Sequence, residues 1–213
     1  MFRDLPHPYE SPIERDFAWQ CMKYISNNIV LDNQVPVESQ HGDFRMDFVL
    51  SHGNRRIAIE CDGRDFHEPF RDEFRDAILL GEGHFETIYH FRGCDITYYP
   101  EDCLWLMSKL NPEIFTERSK LILNRLHRLE PILATGESYE LRNRRGEAFY
   151  WFWAFRRNIH LKSHNPNWPF WKSLYSLACE HPGLGLDELI GLLFAEPERA
   201  SAKKRIRYAQ GSS

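Results

Sequence analysis

Three acidic residues in two neighbouring segments are the first candidates for chemistry. In residues 43–51 (DFRMDFVLS), strict alternation puts Phe44, Met46, Phe48 and Leu50 on one side of a strand and Arg45, Asp47 and Val49 on the other. In residues 55–62 (RRIAIECD), Ile57, Ile59 and Cys61 share one side and Ala58, Glu60 and Asp62 the opposite one. The intervening His52-Gly53-Asn54 predicts a hairpin turn. If the two strands pair with their apolar faces together, Asp47, Glu60 and Asp62 converge on one sheet face. Carboxylates that close disfavour joint ionisation unless a cation sits between them. Mg²⁺ or Mn²⁺ suits such a place, because Mg²⁺ takes one or two carboxylates and keeps its remaining positions for water and phosphate oxygens. The bland alternative is a pair of solvated strand carboxylates, against which the shared face and the apolar flanks argue.

The string Arg45-Met46-Asp47-Phe48-Val49-Leu50, then Ile57-Ala58-Ile59-Glu60-Cys61-Asp62-Gly63, then His67, then Asp72, Arg75 and Asp76 ending in Leu80-Gly81, resembles the domain family related to very-short-patch repair endonucleases. That family belongs to the PD-(D/E)XK, or restriction-endonuclease-like, superfamily. The similarity covers residues 8–110, and IECDG with a downstream histidine is its most specific part. The resemblance implies a restriction-endonuclease-like mixed sheet flanked by helices. It also implies that Asp47 and Glu60 hold a metal ion together with the main-chain carbonyl of Cys61. Asp62 stands where many relatives carry a lysine. It cannot supply a positive charge, and would bind metal or water instead. His67 is then the best candidate to move protons during phosphodiester attack.

Glu14 resembles the first-helix acid that several superfamily members add to the metal shell, but it also follows Ser11 by three residues, where a helix cap wants Glu, and both roles stand. Arg75 could contact a scissile phosphate or pair with a neighbouring carboxylate. Asp72 and Asp76 either complement the helix dipole or pair with Arg75. Related repair endonucleases carry a structural zinc. Here the ligands beside the active-site histidine are absent, and His84, His90, Cys94 and Cys103 match no usual spacing, so none is expected.

The elements that must position these residues are legible from pattern. Ser11-Pro12-Ile13-Glu14 opens a helix running to about Asn27. Strands follow at 34–39, 43–51 and 55–62, then a helix over 68–80 stopped by Gly81, a buried-looking strand at 85–91 (FETIYHF), and a helix over 100–110. The order α-β-β-β-α-β-α indicates an α/β domain over residues 1–111. Residues 112–165 begin with a basic amphipathic helix over 113–130 that ends at Pro131. Two strands, 139–142 and 148–155, then flank an Asn143-Arg144-Arg145-Gly146 turn. Residues 166–213 read as a small, mainly helical domain with helices over 169–180, 186–194 and 197–208. The last carries Arg199, Lys203 and Arg207 at i, i+4 and i+8, as in a helix-turn-helix whose final helix reaches DNA; a small three-helix bundle with a solvated basic face has the same pattern.

Charge divides along the chain. Residues 1–117 hold 11 Lys+Arg against 22 Asp+Glu, net −11, and residues 118–213 hold 16 against 9, net +7, giving the overall −4. An acidic half suits cation binding and a basic half suits a polyanion. Arg144, Arg145, Arg156 and Arg157 beside the aromatic run FYWFWAF suit phosphate contact, with most of the aromatics buried. Five cysteines without a CxxC pair argue against a disulfide framework or zinc ribbon. Neither a membrane span nor a secretory leader is visible, so a cytoplasmic protein is expected. The resulting expectation is a Mg²⁺- or Mn²⁺-dependent endonuclease acting on DNA in repair, restriction or phage defence, plausibly as a homodimer, since cutting both strands calls for two sites. The alternatives are a non-catalytic DNA-binding regulator on a nuclease-like scaffold and an RNA-cleaving toxin.

Overall fold

The computed structural model describes residues 9–62, 69–128, 130–135, 138–142, 148–150, 152–155 and 175–195. His67, Arg144, Arg145, Arg156, Arg157, Arg199, Lys203 and Arg207 lie outside them.

Helix α1 (Pro12–Tyr24) starts as its sequence dictates: Ser11 is extended and its Oγ accepts from the Glu14 amide at 3.2 Å. It ends three residues short of the expected Asn27, because Ile25 turns to extended backbone and its amide closes the last turn on the Cys21 carbonyl. Strands β1 (Val30–Ser39), β2 (Gly42–His52) and β3 (Arg55–Asp62) form an antiparallel meander. Helix α2 (Pro69–Gly81) crosses to β4 (Thr87–Arg92), which runs parallel to β3. The helix expected over 100–110 forms as α4 (Pro100–Leu110), with Pro100 at its head, and is preceded by a short helix that the pattern did not predict, α3 (Gly93–Tyr98). The basic helix is shorter than its pattern suggested. α5 (Glu117–Leu126) begins at a Thr116 cap, and Pro131 lies inside strand β5 (Glu130–Thr135), next to an irregularity in its pairing with β6 (Ser138–Arg142). Since β5 is the edge of the sheet β5-β6-β7, a missing amide there breaks no ladder on its outer side.

The aromatic return strand is divided. Its first part, β7 (Ala148–Tyr150), pairs with β6 as the hairpin reading predicted, whereas β8 (Phe152–Phe155) pairs antiparallel with β4. The main sheet is therefore five-stranded and mixed, in the order β1-β2-β3-β4-β8. Helices cover both faces. On one, Phe17, Ala18 and Cys21 of α1, Leu104 and Met107 of α4 and Leu123 of α5 enclose Phe48, Leu50, Ile57, Ile59, Tyr89 and Phe91. On the other, Phe74, Ala77 and Ile78 of α2 meet Val49, Ala58 and Ile88, joined by Leu177 and Ala178 and by Leu186 and Leu189 of α6 (Leu186–Ala195). Residues expected as separate C-terminal segments thus contribute a strand and part of a core to the N-terminal sheet. Each fully buried Leu, Ile or Phe in these layers contributes about 1.5–3 kcal/mol, which is what holds α2 against the strand ends described next. Among the described residues no helix is long and apolar enough to cross a membrane.

Strict alternation along β2 fails at one place. Phe48 and Leu50 lie in the α1-side core, but Met46 lies in the α2-side core with Phe44 against it, so these four do not share a face. β1 changes in the same way, from Leu31 on one side to Val35 and Val37 on the other. The switch falls at Gln34, which has left-handed backbone (φ 52°) and lies between the pairs Asn33↔Phe48 and Val35↔Met46, opposite Asp47. A non-glycine residue in that conformation costs about 1 kcal/mol or more and persists only where surroundings hold it. Here the Gln34 side chain donates to Glu14 Oε2 at 2.8 Å.

Candidate active site

The β2–β3 ladder runs from His52↔Arg55 to Phe48↔Ile59, and the next residues in that register are Asp47 and Glu60. They lie beyond the last ladder pair. Asp47 Oδ2 accepts from the Cys61 amide at 2.7 Å, a side chain doing what a backbone carbonyl does one step earlier. On its other edge β3 stays paired with β4 as far as Asp62↔Arg92, with Glu60 opposite His90. The strand tip that carries the acidic residues is thus held by β4 on one side and by one carboxylate on the other.

Arg75 reaches this tip from α2. Its guanidinium lies 3.8 Å from Glu60 Oε2, 3.7 Å from Asp72 Oδ1 and 3.3 Å from Asp76 Oδ1. His90 completes the set, with Nε2 2.7 Å from Asp76 Oδ2 and Nδ1 3.4 Å from Asp62 Oδ1. Asp76 is 1% exposed, Glu60 12%, Arg75 15% and Asp62 21%. Among the described residues, five carboxylates, Asp47, Glu60, Asp62, Asp72 and Asp76, therefore share two groups able to carry positive charge, Arg75 and His90. Glu60 gets the poorest match: its Oε2 has only a loose contact with Arg75, and its buried Oε1 has no hydrogen-bond partner among the described residues.

Ionisation follows that balance. Burial, aided by Asp47 and Asp76 and opposed by Arg75 and His90, pushes the Glu60 carboxyl up to about 8. Burial also raises Asp47; the Cys61 amide works against it, while Glu14 and Asp62 add to it. Burial would raise Asp76 as well, but His90 and Arg75 outweigh it and hold that carboxyl below its ordinary value. Burial alone would lower His90, yet Asp76 and Asp62 hold it well above the usual imidazole range.

The cap accounts for both oxygens of Glu14. Oε1 accepts from the Ser11 hydroxyl at 2.8 Å, and Oε2 accepts from the Glu10 amide at 3.0 Å and from Gln34. Its charge still reaches Asp47. Asp76 pairs with Arg75, one of the two roles its sequence position offers, but its pairing with His90 is not visible in the sequence. A histidine within the apolar run FETIYHF is the one signal the sequence offers for His90, and the structure sets it opposite Glu60. Of the other residues of zinc-ligand type, His84 pairs with Glu82, Cys103 is buried and Cys94 is exposed.

Among the described residues, no group of three or more His, Cys, Asp or Glu side chains is arranged to hold a metal ion. A cation that asks for fewer protein ligands remains compatible with the donors present. Asp47 and Glu60 are the next positions in register beyond the last β2–β3 ladder pair, and the Cys61 carbonyl directly follows Glu60 in sequence. The orphaned Glu60 oxygen is the kind of group that Mg²⁺, with one or two carboxylates and a shell otherwise of water and phosphate oxygen, would satisfy.

Arg75 can be tested directly. Arg75→Met keeps an unbranched apolar stem but removes the guanidinium, which leaves His90 as the remaining partner of Asp76 among the described residues and removes the counter-charge of Asp72 and Glu60. A stability loss of about 2–4 kcal/mol at pH 7 is expected, read as a lower urea midpoint at unchanged m-value. Because Asp76 titrates below its ordinary 3.8 in the folded chain, its contribution is complete above that value and is lost as pH falls through the depressed one. The gap between variant and wild type should therefore narrow in acid. A gap that is absent at pH 7 would mean that the guanidinium is not the partner of Asp76.

No protein family, curated protein or solved structure matches the chain. The chemistry open to the site stands on its own geometry.

Proposed function

We propose that this chain is a divalent-cation-dependent nuclease of the PD-(D/E)XK kind that hydrolyses DNA phosphodiester bonds. The observation that carries the reading is the end of the β2–β3 ladder, where Asp47 and Glu60 follow the last pair and Glu60 keeps a buried oxygen without a partner among the described residues. Asp47, Glu60 and the Cys61 carbonyl would hold Mg²⁺ or Mn²⁺. Such an ion, when bound, eases deprotonation of water and screens charge building on phosphoryl oxygens. The chain's own groups do the rest. Arg75, loosely paired with Glu60, is placed to turn toward a phosphate oxygen, which a planar guanidinium binds well. Asp62 orients water at the position where a lysine is absent. His67 is the remaining candidate to pass protons, and Arg144, Arg145, Arg156, Arg157, Arg199, Lys203 and Arg207 supply positive charge for the polyanion. Two copies related by a two-fold axis would let both strands be cut.

The test is a panel of supercoiled, linear and single-stranded DNA and of RNA, incubated with Mg²⁺ or Mn²⁺ and with chelator. Metal-dependent DNA cleavage is the expected result. Retarded migration without cleavage on every substrate would favour a DNA-binding regulator built on the same scaffold, and degradation of RNA alone would favour an RNA-cleaving toxin.

A further inference from the structure

The buried pair Asp76–His90 does more than α2 needs in order to sit on the sheet. Phe74, Ala77 and Ile78 already anchor that helix, and a buried ion pair adds little stability over apolar packing of the same shape. The pair also points somewhere. Because β3 and β4 are parallel with Glu60 opposite His90, the imidazole emerges on the Glu60 face, and its second nitrogen meets Asp62, two residues further along that face.

We infer that His90 is a positioning residue of the hydrolytic centre: Asp76 fixes the imidazole through Nε2, and Nδ1 holds the Asp62 carboxylate at the tip of β3. The inference rests on the nuclease reading given above. β3 itself brings no positive charge at position 62, and Arg75 is divided among Glu60, Asp72 and Asp76. His90 touches Asp62 and is itself oriented by a carboxylate 1% exposed. A carboxylate that orients water must keep a fixed plane, since a misplacement of about 1 Å in such a group costs on the order of 100-fold in rate. An imidazole locked by a buried acid supplies that fixity, as the outer partners of a ligand set do in metal sites.

The experiment compares wild type, His90→Ala, His90→Gln, Asp76→Asn and Asp47→Ala on a substrate cut in the panel. It is accompanied by DNA affinity measured in Ca²⁺ and by proton NMR of the metal-free protein. In His90→Ala, kcat should fall about 100-fold while KM and affinity in Ca²⁺ stay within about threefold, and added imidazole should restore part of the rate. The metal-free wild type should show a far-downfield imidazole N–H resonance, lost in His90→Ala and displaced in Asp76→Asn. His90→Gln, close in size and still a donor, should retain more of kcat than His90→Ala and serves in its place if the alanine variant does not fold. A folded His90 variant with wild-type kcat, a loss confined to KM, or a missing resonance overturns the inference and leaves the nuclease reading intact. A wild type inert on every substrate, with Asp47→Ala indistinguishable from it, overturns both.

Discussion

Glu60→Gln should abolish cleavage, by on the order of 10³-fold or more, and at the same time raise the melting temperature of the metal-free protein in alkaline buffer. The two effects have one cause. Folding takes the Glu60 carboxyl from an ordinary 4.5 to about 8, so the folded chain binds its proton more tightly than the unfolded chain does. Below 4.5 the carboxyl is neutral in both states and imposes no penalty. As pH rises from there the folded state is progressively disfavoured, and the penalty is complete above about 8. Glutamine keeps the shape and never ionises. With metal chelated, the variant should exceed wild type by about 1–3 kcal/mol at pH 9, roughly 3–9 °C, with the advantage shrinking steadily toward pH 5. Adding Mg²⁺ or Mn²⁺ should reverse the order, because an ion bound only by folded wild type stabilises it by mass action. An unchanged or lowered melting temperature at pH 9 would mean that Glu60 is comfortably ionised without a cation.

Asp47 should separate the metal role from the structural one. Asp47→Ala removes the acceptor of the Cys61 amide and leaves that N–H without its partner, a cost of about 1–3 kcal/mol. Asp47→Asn keeps an oxygen in the same place and discards a charge that burial disfavours, so it should melt at or above wild type. Both should lose cleavage on the order of 10³-fold. Calorimetric melting beside a cleavage time course decides the matter: an asparagine variant that is stable and active would remove Asp47 from the centre, and an alanine variant as stable as wild type would remove it from the β3 cap.

The placement of Glu60 and Asp62 on β3 is legible in the sequence and their surroundings only partly so. Alternation in RRIAIECD put Glu60 and Asp62 on one side of β3 because that strand is regular, with Ile57 and Ile59 in one core and Ala58 in the other. The same rule misplaced Phe44 and Met46, since a period of two assumes a uniform strand and Gln34 is left-handed opposite Asp47. Nothing in residue type marks a glutamine for that backbone. The Ser11–Glu14 spacing allows a cap or a catalytic role, and the hydrogen bonds realise the cap. The Asp76–Arg75 pair is local and legible, but the Asp76–His90 contact could not be read locally, because the two meet across 14 residues, through the crossover from α2 to β4. The helix expected over 113–130 rested on its amphipathic spacing. The Thr116 cap and the β5 pairing override it at both ends.

The proposed nuclease activity requires Asp47 and Glu60 to bind one divalent ion between them. Anomalous diffraction from crystals soaked in Mn²⁺ measures this most directly. A single manganese peak within bonding distance of both carboxylates and of the Cys61 carbonyl is the predicted result, and its absence in crystals of Glu60→Gln the predicted control. Crystals in which manganese binds elsewhere, or in which Arg75 closes onto Glu60 and no ion enters at saturating concentration, would contradict it.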